Sequence, residues 1–223
     1  MDARARDSPA RLVAKKKSLK ASERDEWARA IFRAWIAEQD AADLVVIDAV
    51  GLNVDLTPGY ARAPHGQRAV ESLPRNTPVN TTLIGSCRLD GMGPCLLLSG
   101  GVDSLAFEAY LDQVLGPSLR PGQIVLLDNL SAHTSACVAD LVEARGGTVR
   151  YLPTYSPDLS PIELAFAKVK ALVRRAAART REALEQAVAE AWTQITRADL
   201  RGLFRHCGYR LVTDWDQLLC SLL

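Results

Sequence analysis

The chain has 223 residues, 48% of them hydrophobic, and a net charge of +1, which suits one domain, or one domain with an appendage, around a substantial core. No run approaches the roughly 18 apolar residues of a membrane span, and the N-terminus is charged rather than signal-like. None of the five cysteines has C-x-x-C spacing, which sets aside a zinc ribbon or redox motif and leaves a soluble, cytoplasmic protein with no membrane partner as the expectation.

In chain order, residues 1–22 are basic and polar and read as a linker or tail. Residues 23–39 form an amphipathic pattern with Trp27, Ile31, Trp35 and Ile36 on one face, predicting a helix. "DLVVIDAVG" (43–51) reads as a buried strand, and 52–78 as loops rich in Pro, Gly and Arg. Residues 80–91 and 94–100 read as two strands joined at "DGMG". A helix is predicted over 102–115, a strand over 123–128, a helix over 132–144 and a strand over 148–152. Helices follow over 161–178, about 180–194 and 197–206. A strand meander followed by β-α-β-α alternation predicts an α/β fold with a mixed sheet, antiparallel on one side and parallel on the other, flanked by helices.

Charge is uneven along the chain. Residues 1–34 carry ten Lys/Arg against five acids, and residues 163–181 carry six Lys/Arg against Glu163 alone. Two basic blocks suit a polyanion partner as well as a solvated surface.

Two predicted strands end in an acid: Asp48 after "LVVI" and Asp128 after "IVLL". Each Asp could simply accept hydrogen bonds from amides of the following turn. Together with a third acid on a helix they suggest a cation site, because clustered carboxylates repel one another and hard Mg²⁺ or Mn²⁺ prefers oxygen ligands. Glu163 is the third acid. "SPIE" (160–163) fits a capping box with Ser160 at N-cap, Pro161 at N1 and Glu163 at N3. The helix after it has a core-facing stripe of Ile162, Phe166, Val169, Val173 and Ala176, and Glu163 shares the other face with Ala167, Lys170 and Arg174. A metal-binding carboxylate followed by phosphate-binding cations stands beside the capping reading.

"LLDNLSAHTS" followed by "YLPTYSPDLSPIELAFAKVKALVRR" resembles the catalytic region of the IS630 group of transposases, in the IS630–Tc1–mariner superfamily of DDE enzymes. That pattern is a strand ending in D-N, a nearby H, then Y-S-P-x-[LF]-N-P-I-E opening a helix. It falls here on Asp128, Asn129, His133 and Tyr155 through Glu163, with 34 residues between Asp128 and Glu163. "VVIDAVG", "APHGQRA" and "LRPGQIVLLDN" also fit, placing the first acid at Asp48. The group has D-E-[ST] there, where Ala49 and Val50 follow Asp48, and Asn where this chain has Ser160. Complete members begin with a helix-turn-helix region, so a catalytic half is expected here.

The resemblance implies an RNase H-like fold in which Asp48, Asp128 and Glu163 are catalytic and hold two Mg²⁺ or Mn²⁺ ions. It implies hydrolysis at transposon ends and strand transfer into target DNA, at TA in related elements. Asn129 and His133 would orient a carboxylate or contact DNA. Lys168, Lys170, Arg174 and Arg175 would contact phosphates, with Arg62, His65 and Arg68 in a loop that also faces DNA. A homodimer on DNA and a bacterial, nucleoid-associated location are further expectations, with an inactive DNA-binding remnant or another RNase H-like nuclease as the alternatives. The expected division is a basic linker and amphipathic helix over 1–40, the catalytic domain over 41–178 and a helical extension over 179–223.

Overall fold

The computed structural model of the protein describes residues 21–73, 80–129 and 135–211; the basic tail over 1–20 and His133 lie outside the described residues. Five strands form one sheet: β1 (Leu44–Leu52), β2 (Thr81–Arg88), β3 (Gly91–Ser99), β4 (Ile124–Leu127) and β5 (Thr148–Tyr151). Their spatial order is β3-β2-β1-β4-β5. The β1–β2 and β2–β3 pairs are antiparallel, and β1–β4 and β4–β5 are parallel, which is the mixed sheet expected from the meander and the alternation.

Alternation along the strands divides the core in two. Leu44, Val46, Leu83, Cys87 and Leu126 face one cluster, built with helices α1 (Glu26–Glu38), α4 (Pro161–Ala176), α5 (Arg181–Thr193) and α6 (Arg197–His206). Val45, Ile47, Ile84, Val125 and Leu127 face the other, built with α2 (Ser104–Ala109), the π-helical turn Tyr110–Leu115 and α3 (Ala136–Glu143). The single helix expected over 102–115 is thus an α-helical turn and a half running into a wider π turn. α5 and α6 pack on α4 and contribute Leu184, Val188, Trp192, Leu200 and Phe204 to the same cluster as the sheet.

Two local expectations change. The β2–β3 turn is Leu89–Asp90, closed by the Arg88↔Gly91 pair, so "GMG" belongs to β3. Its glycine serves close approach rather than a bend: a Cβ on Gly93 would fall 2.1 Å from the Ser86 hydroxyl. In α1 the buried face is Arg29, Phe32 and Ile36, whereas Trp27 and Ile31 are exposed. The helix is rotated because Arg29 meets Asp158, 129 residues away, a partner that local periodicity cannot reveal.

Candidate active site

The parallel pairing Val46↔Leu126 is the last in the β1–β4 ladder. Asp48, within β1, and Asp128, the residue just past the end of β4, each stand two positions beyond it. A two-residue step returns the side chain to the same face, so both acids leave the sheet on the side of Val46 and Leu126, which is the side covered by α4. Ligand sites on such sheets form at the carboxyl ends of the parallel strands. A cleft of about 390 Å³ opens at this point, lined by Asp48, Asp128, Asn129, Glu163 and the segment 152–157 with Ser160.

Glu163 reaches the cleft from the first turn of α4. Ser160 is the N-cap residue and Pro161 is at N1, as the sequence suggests, but Ser160 makes no side-chain capping hydrogen bond. The reciprocal capping box is therefore not formed, and the exposed Glu163 carboxylate is not held in it. By contrast α6 has a complete box, between Thr196 and Asp199. The loop that delivers Glu163 is anchored three times. Asn129 Nδ2 donates to Leu152 O at 2.6 Å. Tyr209 Oη donates to Leu159 O at 2.7 Å. The fully buried Arg29 grips Asp158 with two bonds, Nη1–Oδ1 at 3.0 Å and Nη2–Oδ2 at 2.6 Å. Arg24 and Arg33 approach the same carboxylate at 3.8 and 3.7 Å. Burial raises the pKa of Asp158, but the Arg29 hydrogen bonds and the neighbouring guanidinium charges outweigh it and leave it below the ordinary carboxylate value.

Asp48 is only 8% exposed. Burial raises its pKa to about 7; the Ala49 amide, donating to Oδ1 at 2.7 Å, acts the other way, and the charges of Glu163 and Asp128 add to the rise. The charges of Glu163 and Asp128 thus reach Asp48 across the cleft. Lys170 is the cation near enough to favour the ionised form of Asp48. Among the described residues no group of three or more His, Cys, Asp or Glu side chains is placed as it stands to hold a metal ion.

The expected cations separate into two kinds. Lys168 Nζ is 2.6 Å from Asp199 Oδ2 and is tied to the α6 cap, while Arg179 pairs with Glu71 and bonds the carbonyls of Val54 and Leu56. Lys170, Arg174 and Arg175 make no salt bridge to a described residue. Arg62, His65 and Arg68 are exposed on the β1–β2 connection and do not line the cleft. The sequence reading missed Arg29, Asp158 and Tyr209. The available signals were an arginine inside an apolar helix and an aspartate inside the loop motif.

The DDE superfamily endonuclease family matches residues 43–185. No curated protein matches the sequence with significance. Among solved structures, the Mos1 transposase paired-end complex with left transposon end is similar over 88% of this chain, with a TM-score of 0.71 and 18% identity. The Mos1 mariner paired-end complex with Mn gives 0.69 at 18% identity over the same share. This chain covers 64% of each of those two chains. The Mos1 catalytic domain with raltegravir and Mg gives 0.54 at 16% identity, over 82% of this chain and 87% of that one. With a family match across the whole sheet and α4, the chain belongs to the DDE superfamily of endonucleases and has the RNase H-like fold of a DDE transposase catalytic domain.

Proposed function

We propose that this chain is the catalytic part of a transposase of the IS630–Tc1–mariner kind, cutting DNA at element ends and joining them to target DNA. One observation carries the reading: Asp48, Asp128 and Glu163 come from three separate elements and line one cleft. The donor set fits hard divalent cations, being three carboxylates on one cleft, where burial first and then the charges of Glu163 and Asp128 raise the proton affinity of Asp48. Asp48, Asp128 and Glu163 would hold two Mg²⁺ or Mn²⁺ ions. Bound there, the ions supply Lewis acidity, activating the attacking water or 3′-hydroxyl and stabilising the leaving oxygen.

The residues of the chain do the rest. β1 carries Asp48 and the end of β4 leads into Asp128, both on the cleft, and the three-point loop anchor sets the direction of Glu163. Lys170, Arg174 and Arg175, on the α4 turns beyond Glu163, would pair with phosphates and set the path of the strand. Hydrolysis of one phosphodiester leaves a 3′-hydroxyl, and attack of that hydroxyl on a second phosphodiester joins the strands, with no covalent enzyme intermediate. Two element ends call for two protomers on DNA, and a chromosome-associated location follows from the same reading.

The test is nicking of supercoiled DNA and of element-end DNA with Mg²⁺ or Mn²⁺, beside Asp128→Asn and Glu163→Gln. Metal-dependent cutting by the wild type that both substitutions abolish is the expected result. Binding without cutting by all three proteins would instead make the chain an inactive DNA-binding remnant.

A further inference from the structure

We propose that Tyr155 is a stacking platform for an unpaired DNA base beside the scissile phosphate, a role that rests on the cleft being a phosphodiester-cutting site. Tyr155 has φ +52°, a left-handed conformation shared among described non-glycine residues only with Ala177. Ala177 ends α4, where that conformation is ordinary. For a bulky aromatic within a loop it is an outlier, and such strain persists where the surroundings over-determine it.

The fold gains little from the ring. It is 55% exposed, belongs to neither core cluster, and its hydroxyl bonds no described residue. Yet it lines the same cleft as Asp48, Asp128 and Glu163. Its backbone cannot easily yield: Pro153 and Pro157 flank it, and the Asn129, Arg29 and Tyr209 anchors hold the segment on both sides. The result is an aromatic face held rigidly at the edge of a carboxylate site, with few torsions to freeze when a ligand arrives. Every base has a π-face, so stacking there is sequence-tolerant. A base inside a duplex has no free face, so the partner is a base at a strand end or one turned out of the helix.

The experiment uses the full chain and two DNAs, a blunt duplex and the same duplex with a short 3′ overhang carrying 2-aminopurine. Affinity is read by anisotropy, stacking by 2-aminopurine fluorescence, and folding by the melting temperature. Wild type and Tyr155→Phe are expected to quench the probe. Tyr155→Ala and Tyr155→Gly are expected to leave it bright and to bind the overhang about tenfold more weakly. Blunt duplex should bind equally to all four proteins. Tyr155→Gly, which suits a left-handed residue, should melt no lower than wild type. Unchanged affinity and fluorescence in Tyr155→Ala, with DNA still bound, overturns the platform and leaves the proposed function standing. So does a loss in Tyr155→Phe equal to that in Tyr155→Ala, which assigns the effect to the hydroxyl. A large fall in melting temperature for Tyr155→Gly makes the ring structural and overturns it too. Failure of every protein to bind either DNA removes the reading of the cleft itself, and the platform with it.

Discussion

At Asp48, burial and then the charges of Glu163 and Asp128 lift the pKa from 3.8 to about 7. A carboxyl whose folded pKa is raised contributes stability that is complete below its unfolded pKa and is lost as the pH rises through the folded one. Without metal, the wild type should therefore lose stability between about pH 4 and pH 7, by up to about 4 kcal/mol. Asp48→Asn keeps an acceptor for the Ala49 amide and removes the charge. Urea unfolding should show it more stable than wild type at pH 8 and equal at pH 3.5, while DNA cutting is lost. Added Mg²⁺ or Mn²⁺ should raise the melting temperature of the wild type and leave that of Asp48→Asn unmoved. The Arg29–Asp158 pair gives a second residue-level expectation. Arg29 is buried and Asp158 is half-exposed, so the two deletions are unequal. Asp158→Ala removes both hydrogen bonds of a buried guanidinium, leaving it Glu26 at 3.5 Å, and should cost about 3 kcal/mol; Arg29→Met leaves a half-exposed carboxylate to water and should cost about 1 kcal/mol. Equal costs by urea unfolding would contradict this account of the loop anchor.

At the level of elements, the sheet next to Asp48 depends on a residue without a side chain. Gly85 pairs directly with Asp48 across β1 and β2, and a Cβ there would fall 2.3 Å from Trp192 Cη2. The indole lies on the strand and donates from Nε1 to Gly93 O at 2.9 Å, so α5 is seated on β2 and β3 through these glycines. Gly85→Ala should cost about 1–3 kcal/mol by overpacking. The penalty should shrink in a Trp192→Leu background, where the ring is gone, and a double-mutant cycle measures that coupling. Additive costs would mean that the contact is not what constrains position 85.

Across the whole molecule, the segments at the parallel ends of β1 and β4 supply two acids, α4 supplies the third, and α4 carries beyond them cations that form no salt bridge to a described residue. Phosphate contacts release counterions, so affinity for DNA should fall steeply with salt. Replacing Lys170, Arg174 and Arg175 together with Gln should reduce the log–log salt slope by about 2–3. Lys168→Gln should change that slope little and lower stability instead, because its ammonium already pairs with Asp199. No helix among the described residues is long and apolar enough to cross a membrane.

The order and type of the elements were legible in the chain because alternation and helical period are local properties. The runs "LVVI" and "IVLL" made buried strands, and "SPIE" marked the start of α4. The 34-residue interval and the loop motif singled out Asp128 and Glu163. What local pattern could not supply was pairing at a distance. Only the tertiary structure decides that Asp48 and Asp128 share one cleft, and that α1 turns Arg29 rather than Trp27 inward. Only the fold, too, shows that Lys168 serves a cap while the charge of Lys170 acts on Asp48. The same holds for Glu163, where the sequence allowed a capping box and the folded loop leaves the box unmade. A carboxylate's neighbours, and so its proton affinity and its use, depend on which strands and helices meet. That is set by long-range burial, which no stretch of sequence contains by itself.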